Sequence, residues 1–377
     1  MLEAPPARAA VAWSVSASTQ EIRFCTAPDG ARIAYATVGK GLPLVRAAHW
    51  MTHLEFDWQG PVWRPWLSEL SRHNTLIRYD ARGCGLSDWD VADVSFDAWV
   101  ADLEAVVTAA GLARFALLGA SQSASVAIAY AVKHPERISH LILYGGFARG
   151  RLKRGSPAQV EEAETELHLI RLGWGRENPA FRQTFTTGFI PDGTPEQLRW
   201  FNELQRVSTS PEHAVRIVQA VSTIDVTHLL PKIAVPTLVL HSRDDARVPF
   251  GEGRMLASAI PNARFVPLES RNHILLESEP AWLRFIEEIR GFIGAGKPAA
   301  GPSAEAFPEL TAREKEVLEL LARGLANDEI AARLGIRPKT ARNQVSALFQ
   351  KLGVSSRAQA IVKAREAGLG TGSARDA

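Results

Sequence analysis

One serine lies between small residues, where an apolar segment ends and a helical pattern begins. Residues 119–123 are Gly-Ala-Ser-Gln-Ser, and they follow the apolar run Phe115–Leu118. A serine on a tight strand-to-helix turn is exposed for nucleophilic attack, provided that the residues two positions away on either side are small. Gly119 meets this requirement, whereas Ser123 replaces the usual second glycine and its hydroxyl needs a partner. Ser121 is therefore a candidate nucleophile, although glycine and serine are common in any turn.

Three more polar segments directly follow apolar runs. They are Asp80–Ser87 after Thr75–Tyr79, His241–Pro249 after Thr237–Leu240, and Asn272-His273 after Phe265–Leu268. Ligands of open parallel sheets bind beyond the carboxyl ends of the strands. If these runs are parallel strands, the three segments lie at the same edge of the sheet as Ser121.

Strand and helix patterns alternate between these segments. An opening hairpin is predicted from Ile22–Phe24 and Arg32–Ala36, joined by Pro28-Asp29-Gly30. The strand candidates after it are Leu42–Ala47, Thr75–Tyr79, Phe115–Leu118, Leu141–Tyr144, Thr237–Leu240 and Phe265–Leu268. Strands separated by helices predict an α/β fold with a mostly parallel sheet covered on both faces. Between Phe147 and Val235 only helical patterns occur, as expected of an inserted cap.

Together these segments resemble the α/β-hydrolase family over residues 20–293, with a helical cap at about 147–235. In that family the nucleophile, the acid and the histidine follow one another along the chain, and Ser121, Asp245 and His273 match this order. The resemblance implies that His273 takes the Ser121 proton, while Asp245 orients the imidazole and stabilises its charged form. Asp244 is an alternative acid whose spacing to the following Val-Pro pair fits less well.

One loop departs from the family's pattern. After the third strand the family usually has His-Gly, which lets a backbone N–H turn toward the oxyanion, but this chain has Ala48-His49-Trp50-Met51. The N–H of Gln122 supplies one oxyanion donor, and Met51 is the candidate for the second, beside the bulky Trp50. Loss of one such donor costs about 3 kcal/mol of transition-state stabilisation. His49 is interpreted as a surface or core residue, and Asp80–Ser87 as a segment that defines the fold.

The predicted cap is rich in aromatic side chains. They are Trp174, Phe181, Phe185, Phe189, Trp200 and Phe201. Most of these rings are expected to pack the cap onto the sheet, and some must line the space above Ser121. An apolar lining predicts a small, partly apolar molecule as ligand or ester substrate.

A Gly-, Pro- and Ala-rich stretch at 294–307 is interpreted as a linker, and the pattern after it is helical throughout. From Arg333 to Arg365 the chain carries eight Arg or Lys residues and no Asp or Glu, although the net charge of the whole chain is only +2. Such an asymmetry is typical of a phosphate-binding surface. A capping box of Thr311 and Glu314 predicts the start of the first helix.

A two-faced helix follows at Pro338, where a missing backbone N–H costs nothing because this is the first turn. Its apolar face is Ala341, Val345, Leu348 and Leu352, and its polar face is Lys339, Arg342, Asn343, Ser346 and Gln350. Since Gly335 ends the preceding short helix, the pair predicts a helix-turn-helix whose polar face enters the major groove of double-stranded DNA.

Residues 310–318, 328–332, 339–340 and 351–357 resemble the LuxR-type helix-turn-helix family, within a domain at 308–370. The resemblance implies that Lys339, Thr340 and Lys351 approach phosphates and that Arg342, Asn343 and Ser346 face bases. It also implies that the helix Arg357–Glu366 pairs two copies on DNA. Arg337 replaces the usual capping serine, at a cost of about 1 kcal/mol, while Ala341 and Gln344 also depart from the family and put the sequence preference in question.

The remaining features restrict the class of protein. Cys25 and Cys84 have no metal-ligand spacing, so neither a metal nor another cofactor is expected. Residues 1–19 are predicted to be a disordered tail without the pattern of a signal peptide. No apolar run is long enough for a membrane span, and a cytoplasmic protein is expected.

Two functions are consistent with these domains. In the first, the chain is a DNA-binding transcription regulator whose hydrolase-like domain senses, and in one version hydrolyses, a small ligand. In the second, it is a serine esterase with a DNA-binding tail. Both involve a homodimer on DNA.

Overall fold

The computed structural model describes residues 20–49, 51–154, 157–294, 307, 310–354, 357–366 and 369. The chain divides into two compact units, Met1–Gly294 and Ala295–Ala377. The predicted tail at 1–19 lies outside the described residues, as does the predicted linker at 294–307 apart from its first and last residues.

The first unit contains one eight-stranded sheet in the order β1-β2-β4-β3-β5-β6-β7-β8. The strands are β1 Glu21–Thr26, β2 Arg32–Val38, β3 Leu42–Arg46, β4 Asn74–Tyr79, β5 Phe115–Ala120, β6 Ile138–Tyr144, β7 Thr237–Ser242 and β8 Arg264–Leu268. The predicted hairpin is confirmed as the antiparallel pair β1–β2, and β3 to β8 run parallel. Every residue of β5 and β7 is buried, because helices cover both faces.

Helices connect or follow these strands, both before and after the cap segment along the chain. They are α1 Leu54–Gln59, α2 Trp63–Ser71, α3 Phe96–Ala109, α4 Ser123–Lys133, α10 Phe250–Ala259 and α11 Pro280–Gly294. The cap follows β6 and precedes β7, with helices α5 Arg151–Arg154, α6 Pro157–Gly173, α7 Ala180–Phe189, α8 Pro195–Ser208 and α9 Pro211–Thr223. The chain therefore leaves the sheet at β6 and returns to it at β7, which places the cap helices beyond the strands' carboxyl ends.

The second unit is helical. Its helices are α12 Ala312–Ala322, α13 Asn327–Leu334, α14 Pro338–Leu352 and α15 Arg357–Glu366. They enclose a separate apolar core that includes Leu318, Leu321 and Ile330. Among the described residues of both units, no helix combines the length and the apolar composition needed to cross a bilayer.

Candidate active site and candidate DNA interface

The turn between β5 and α4 holds Ser121 in a strained conformation. Its φ of 56° lies in the left-handed region, which costs a non-glycine residue about 1–3 kcal/mol. Gly119 has no room for a side chain, since a Cβ there would lie 2.7 Å from the Cα of Ala124. The Ser123 hydroxyl accepts from the Ala120 N–H and donates to the Ala120 carbonyl, at 2.9 and 2.8 Å. The serine that replaces the second glycine thus ties the turn together.

Asp245 and His273 meet beyond the ends of β7 and β8. The His273 Nδ1 lies 2.8 Å from the Asp245 Oδ2, and both side chains are almost fully buried. The other carboxylate oxygen of Asp245 accepts the N–H groups of Arg247 and Val248, each at 2.8 Å. Burial alone would raise the pKa of Asp245, but the charge of His273 and its hydrogen bond hold the pKa below its ordinary value. The alternative acid, Asp244, is exposed.

Ser121 and His273 line a common cavity of about 20 Å³. The Tyr144 hydroxyl donates to the His273 carbonyl at 2.8 Å, and the Phe189 ring lies 5.5 Å from the imidazole. Among the described residues, the His273 ring is hydrogen-bonded to Asp245, and no such bond joins it to the Ser121 hydroxyl. Contacts between a nucleophile and its base are often long before substrate binds. The shared cavity is compatible with the predicted proton relay, and the relay stays a prediction.

Gln122 and Met51, the two predicted oxyanion donors, line the same cavity. The Met51 nitrogen lies 3.4 Å from the Nδ1 of His49, whose Nε2 is 2.6 Å from Arg46 Nη2. Because an arginine only donates, this Nε2 must accept, and the neutral ring then carries its proton on Nδ1. Burial and the Arg46 charge keep the ring neutral by lowering its pKa well below 6.5. A neutral ring with its proton on Nδ1 cannot accept from Met51, yet the Met51 N–H points toward this nitrogen, so its role as an oxyanion donor stays a prediction.

His49 and Arg46 are site residues that sequence reasoning missed. His49 is buried and stacks on Trp63 with the ring centroids 5.0 Å apart, and the Arg46 guanidinium lies 4.2 Å from the same indole ring. The position of His49 in the loop after β3 was the available signal, but it was interpreted as that of a surface or core residue. Trp50, the bulky residue of this loop, lies outside the described residues.

Two further cavities are lined by cap residues, and the smaller of them is also lined by Ser121. One of about 50 Å³ is lined by Ser121, Gln122 and Phe189 together with Arg151, Arg154, Glu166 and Arg247, among others. A larger one of about 490 Å³ is lined by Trp174, Phe181 and Phe185 and shares Glu166 and Arg247 with the first. Of the predicted cap aromatics, four thus line cavities. The other two, Trp200 and Phe201, are buried, and Trp200 stacks on Phe56 at 5.3 Å.

The segment Asp80–Ser87 contacts the surrounding loops and helices. The Asp80 Oδ2 accepts the N–H groups of Leu54 and Leu86, at 3.1 and 2.8 Å. The Arg82 guanidinium forms a buried ion pair with Asp102, at 2.6 Å. These bonds connect the segment to α1 and α3, in keeping with the interpretation that it defines the fold.

All six predicted DNA-contacting residues are exposed in the second unit: Lys339, Thr340, Arg342, Asn343, Ser346 and Lys351. On α14, the predicted apolar face of Ala341, Val345, Leu348 and Leu352 is buried. Gly335 ends α13 in the left-handed conformation, with a φ of 63°. The helix therefore presents a continuous polar stripe on the side opposite its core.

Lys351 differs from the other basic residues of α14. Its ammonium lies 2.9 Å from Glu314, the residue that forms the capping box with Thr311 at the start of α12. Hydrogen bonds from Lys351 and Thr311 lower the pKa of Glu314 to about 2. Within the described residues Lys339 and Arg342 form no such ion pair. The Lys351 charge is thus partly compensated before any DNA arrives.

Two more predictions concern the residue that precedes α14 and the pairing role of α15. Arg337 precedes α14 without a side-chain capping bond, as its lack of an acceptor predicts. In α15, Ala360 and Ala364 are buried in the unit's own core, whereas Gln359 and Lys363 are exposed. The pairing role of this helix stays a prediction, since Ala360 and Ala364 already pack in the unit's own core.

Comparison with known proteins relates both units to families. The chain matches the family described as alpha/beta hydrolase fold over residues 58–280, and the family described as bacterial regulatory proteins, luxR family, over residues 308–364. It is similar to the AB hydrolase superfamily protein YisY of Bacillus subtilis, with 27% identity over 63% of this chain and 86% of that protein. It is also similar to the non-heme chloroperoxidase CPO-A1 of Kitasatospora aureofaciens, with 28% identity over 66% of this chain and 91% of the relative.

A solved structure with a similar fold is the esterase of Exiguobacterium antarcticum. It covers 72% of this chain and 98% of its own, with a TM-score of 0.61 and 22% identity. At this identity the likeness concerns the fold alone.

Proposed function

The chain belongs to the alpha/beta hydrolase fold family and carries a C-terminal LuxR-type domain, and on this basis we propose that it is a DNA-binding transcription regulator whose hydrolase domain binds and hydrolyses a small ligand. The observation that carries the proposal is the presence in one chain of an exposed basic helix and a Ser121, His273 and Asp245 group in which His273 and Asp245 are hydrogen-bonded. The two units serve one function if ligand binding or hydrolysis at Ser121 changes the affinity of the second unit for DNA.

The chemical step proposed for the first unit is acyl transfer to Ser121. His273 takes the hydroxyl proton as the oxygen attacks an ester carbonyl, and Asp245 stabilises the imidazolium that forms. The N–H groups of Gln122 and Met51 donate to the oxyanion. Protonated His273 then gives the proton to the leaving alcohol, and water releases the acid by the same route. The strain at Ser121 and the 2.8 Å contact of His273 with Asp245 support these roles.

The ligand class proposed is a small, partly apolar molecule. A cavity of about 490 Å³ lies within the cap, and Trp174, Phe181 and Phe185 contribute to its lining. Drug-sized ligands occupy cavities of about 300–1,000 Å³ with mainly apolar walls. The cavity beside Ser121 is far smaller, at about 50 Å³, and it suits the reacting end of such a ligand.

The step proposed for the second unit is recognition of a DNA major groove by α14. Lys339, Thr340 and Lys351 contact phosphates, while Arg342, Asn343 and Ser346 face base edges. Two copies of the chain bind together, so the half-sites lie about one helical turn apart. DNA selected by the full chain from a random pool should accordingly contain an inverted repeat with that spacing.

A second candidate function is a serine esterase for which DNA serves only as an anchor. The observation that favours it is the pairing of Asp245 with His273, which a pure sensor does not need. The two candidates differ in whether occupation of Ser121 alters the affinity for DNA.

The catalytic part of the proposal is tested with a fluorophosphonate probe. The purified chain should be labelled at Ser121, as located by peptide mapping, and should hydrolyse a short activated ester. Ser121→Ala should remove both activities, whereas Ser258→Ala, a substitution on α10, should remove neither. Labelling at another residue, or none, would show that the first unit only binds its ligand.

A further inference from the structure

An excess of positive charge surrounds the small cavity beside Ser121. Arg151, Arg154 and Arg247 line it, and Glu166 is the one carboxylate in its lining. Glu166 pairs with both Arg151 and Arg247 at 2.6 Å. Burial opposes ionisation of this carboxyl, yet the two guanidinium groups lower its pKa. Three cations therefore share one anion in a largely enclosed space.

Arg154 takes no part in the ion pairs of Glu166, which join that residue to Arg151 and Arg247. Its Nε is buried without a hydrogen-bond partner among the described residues. Its guanidinium lies 5.2 Å from the ring centroid of Phe147, and no carboxylate of the described residues is within ion-pair distance. The nearby Glu252 pairs with Arg149, at 2.8 Å. Burial lowers the pKa of Arg154 to about 10, so the group stays charged at neutral pH.

Arg154 is partly buried, and Glu252, whose charge acts on it, already pairs with Arg149. A bound anion would therefore give this guanidinium the ion-pair partner that it lacks among the described residues. The rest of the cavity wall is mainly apolar, with Phe147, Phe189, Val218 and Val248 among its residues. The lining of this cavity therefore includes apolar side chains, the candidate nucleophile Ser121 and a guanidinium that has no ion-pair partner among the described residues. A guanidinium binds a carboxylate through two parallel hydrogen bonds, which are stronger than those of neutral pairs.

We infer that the ligand of this site is an ester or lactone that carries a carboxylate, and that Arg154 binds the carboxylate while the ester carbonyl lies against Ser121. The inference rests on the proposed function, because it names the ligand class of the same site. It changes the expectation from the sequence, which was a ligand recognised chiefly by apolar contacts. Arg151 and Arg247 contribute less, since Glu166 already occupies them.

The test is calorimetric binding to the full-length chain carrying Ser121→Ala, so that bound esters are not consumed. The probes are monomethyl adipate and dimethyl adipate, which have the same chain and differ in the charge of one end. The monoester should bind at least about tenfold more tightly, as one charge-assisted bidentate contact provides. Adding Arg154→Gln should reduce the ratio of the two affinities to about one. Arg154→Lys should restore part of the preference for the monoester, because lysine returns the positive charge but not the paired N–H donors of the guanidinium.

Lys153→Gln is the matched control, since it removes a neighbouring but exposed cation of the same helix and should leave the preference intact. Equal binding of the two probes, failure of the monoester to bind, or an unchanged preference in Arg154→Gln would overturn the inference. None of these outcomes depends on turnover or on DNA. A failure here is therefore distinct from a failure of Ser121 labelling, which tests the proposed function.

Discussion

The surroundings of Ser121 and the polar face of α14 use polar residues in opposite ways. Around Ser121 the predicted acid and base, Asp245 and His273, have buried side chains that are bonded to each other before a ligand arrives. On α14 the corresponding groups are exposed, and Lys339 and Arg342 have no ion-pair partner among the described residues. The contact between His273 and Asp245 is thus in place before a ligand binds. The exposed cations Lys339 and Arg342, in contrast, gain their partners when DNA binds.

This difference decides how each region responds to substitution and to salt. Removing one partner of a buried, bonded group leaves the other unsatisfied and misplaced, so effects are large and depend little on ionic strength. Removing an exposed cation mainly reduces the attraction to DNA phosphates, which salt screens strongly. The predictions below test this contrast in order of decreasing effect.

The largest effect is expected at the acid of the candidate triad. Asp245→Asn should lower kcat for a short activated ester by about three to four orders of magnitude, because the imidazole loses its orienting charge. Asp244→Asn removes an exposed neighbour and should change kcat by less than about twofold. Steady-state kinetics of the two variants measure this. Equal losses in both would mean that the acid is misassigned.

On the exposed surface, Arg342 should have the largest effect. Arg342→Ala should weaken binding to the selected duplex by about 1–3 kcal/mol and relax the preference at one base position. Arg323→Ala, a control on a cation that pairs with Glu319 at 2.9 Å, should alter neither. Affinities for a set of single-base variants of the duplex give both quantities. Unchanged affinity for Arg342→Ala would show that α14 is wrongly placed in the groove.

Lys339 and Lys351 differ in their ion pairing. Among the described residues Lys351 pairs with Glu314, whereas Lys339 has no such partner. Lys339→Ala should weaken binding to all sequences alike and reduce the slope of log K against log salt by about 0.9. Lys351→Ala should have a smaller effect on both, because its ammonium already contacts Glu314 at 2.9 Å. Titrations at several salt concentrations provide the slopes. A Lys351 effect as large as that of Lys339 would argue that DNA displaces Glu314.

The smallest effect concerns pH and the buried His49. Its pKa in the folded chain is well below 6.5, through burial and the charge of Arg46, so the unfolded state binds its proton first as the pH falls. The free energy of unfolding should therefore decrease below pH 6.5 by up to about 1.4 kcal/mol per pH unit through this group. Above pH 6.5 both states are neutral and this contribution disappears.

His49→Gln should flatten that slope, and His228→Gln, at an exposed histidine, should not. All ten tryptophans precede residue 294, so their fluorescence in denaturant titrations follows the first unit. Identical slopes for wild type and His49→Gln would mean that His49 is protonated in the folded chain.

Much of the fold could be predicted because its signals are local. The β5 run is apolar at every position and lies between turn signals, and the structure has a strand there from Phe115 to Ala120. Likewise, the spacing of Ala341, Val345 and Leu348 defines one helical face, which is buried in the structure. The capping box of Thr311 with Glu314 is a three-residue pattern and is also present.

The missed residues depend on contacts between distant segments. Glu166 joins Arg151 and Arg247, which are 15 and 81 residues away along the chain, and no local pattern indicates that pairing. The same holds for His49, whose ring becomes part of the site only because α2 brings Trp63 against it. Charged cap residues usually belong to a solvated face, and nothing local distinguishes Arg154 from the others.

The central claim is that an event at Ser121 changes the affinity for DNA. The direct measurement is the affinity of the full-length chain for its selected duplex, at fixed salt, before and after stoichiometric fluorophosphonate labelling of Ser121. Probe-treated Ser121→Ala serves as the control. The account predicts a change of about fivefold or more on labelling and none in the control. Identical affinities of labelled and unlabelled chains would contradict it and leave a hydrolase that is merely tethered to DNA.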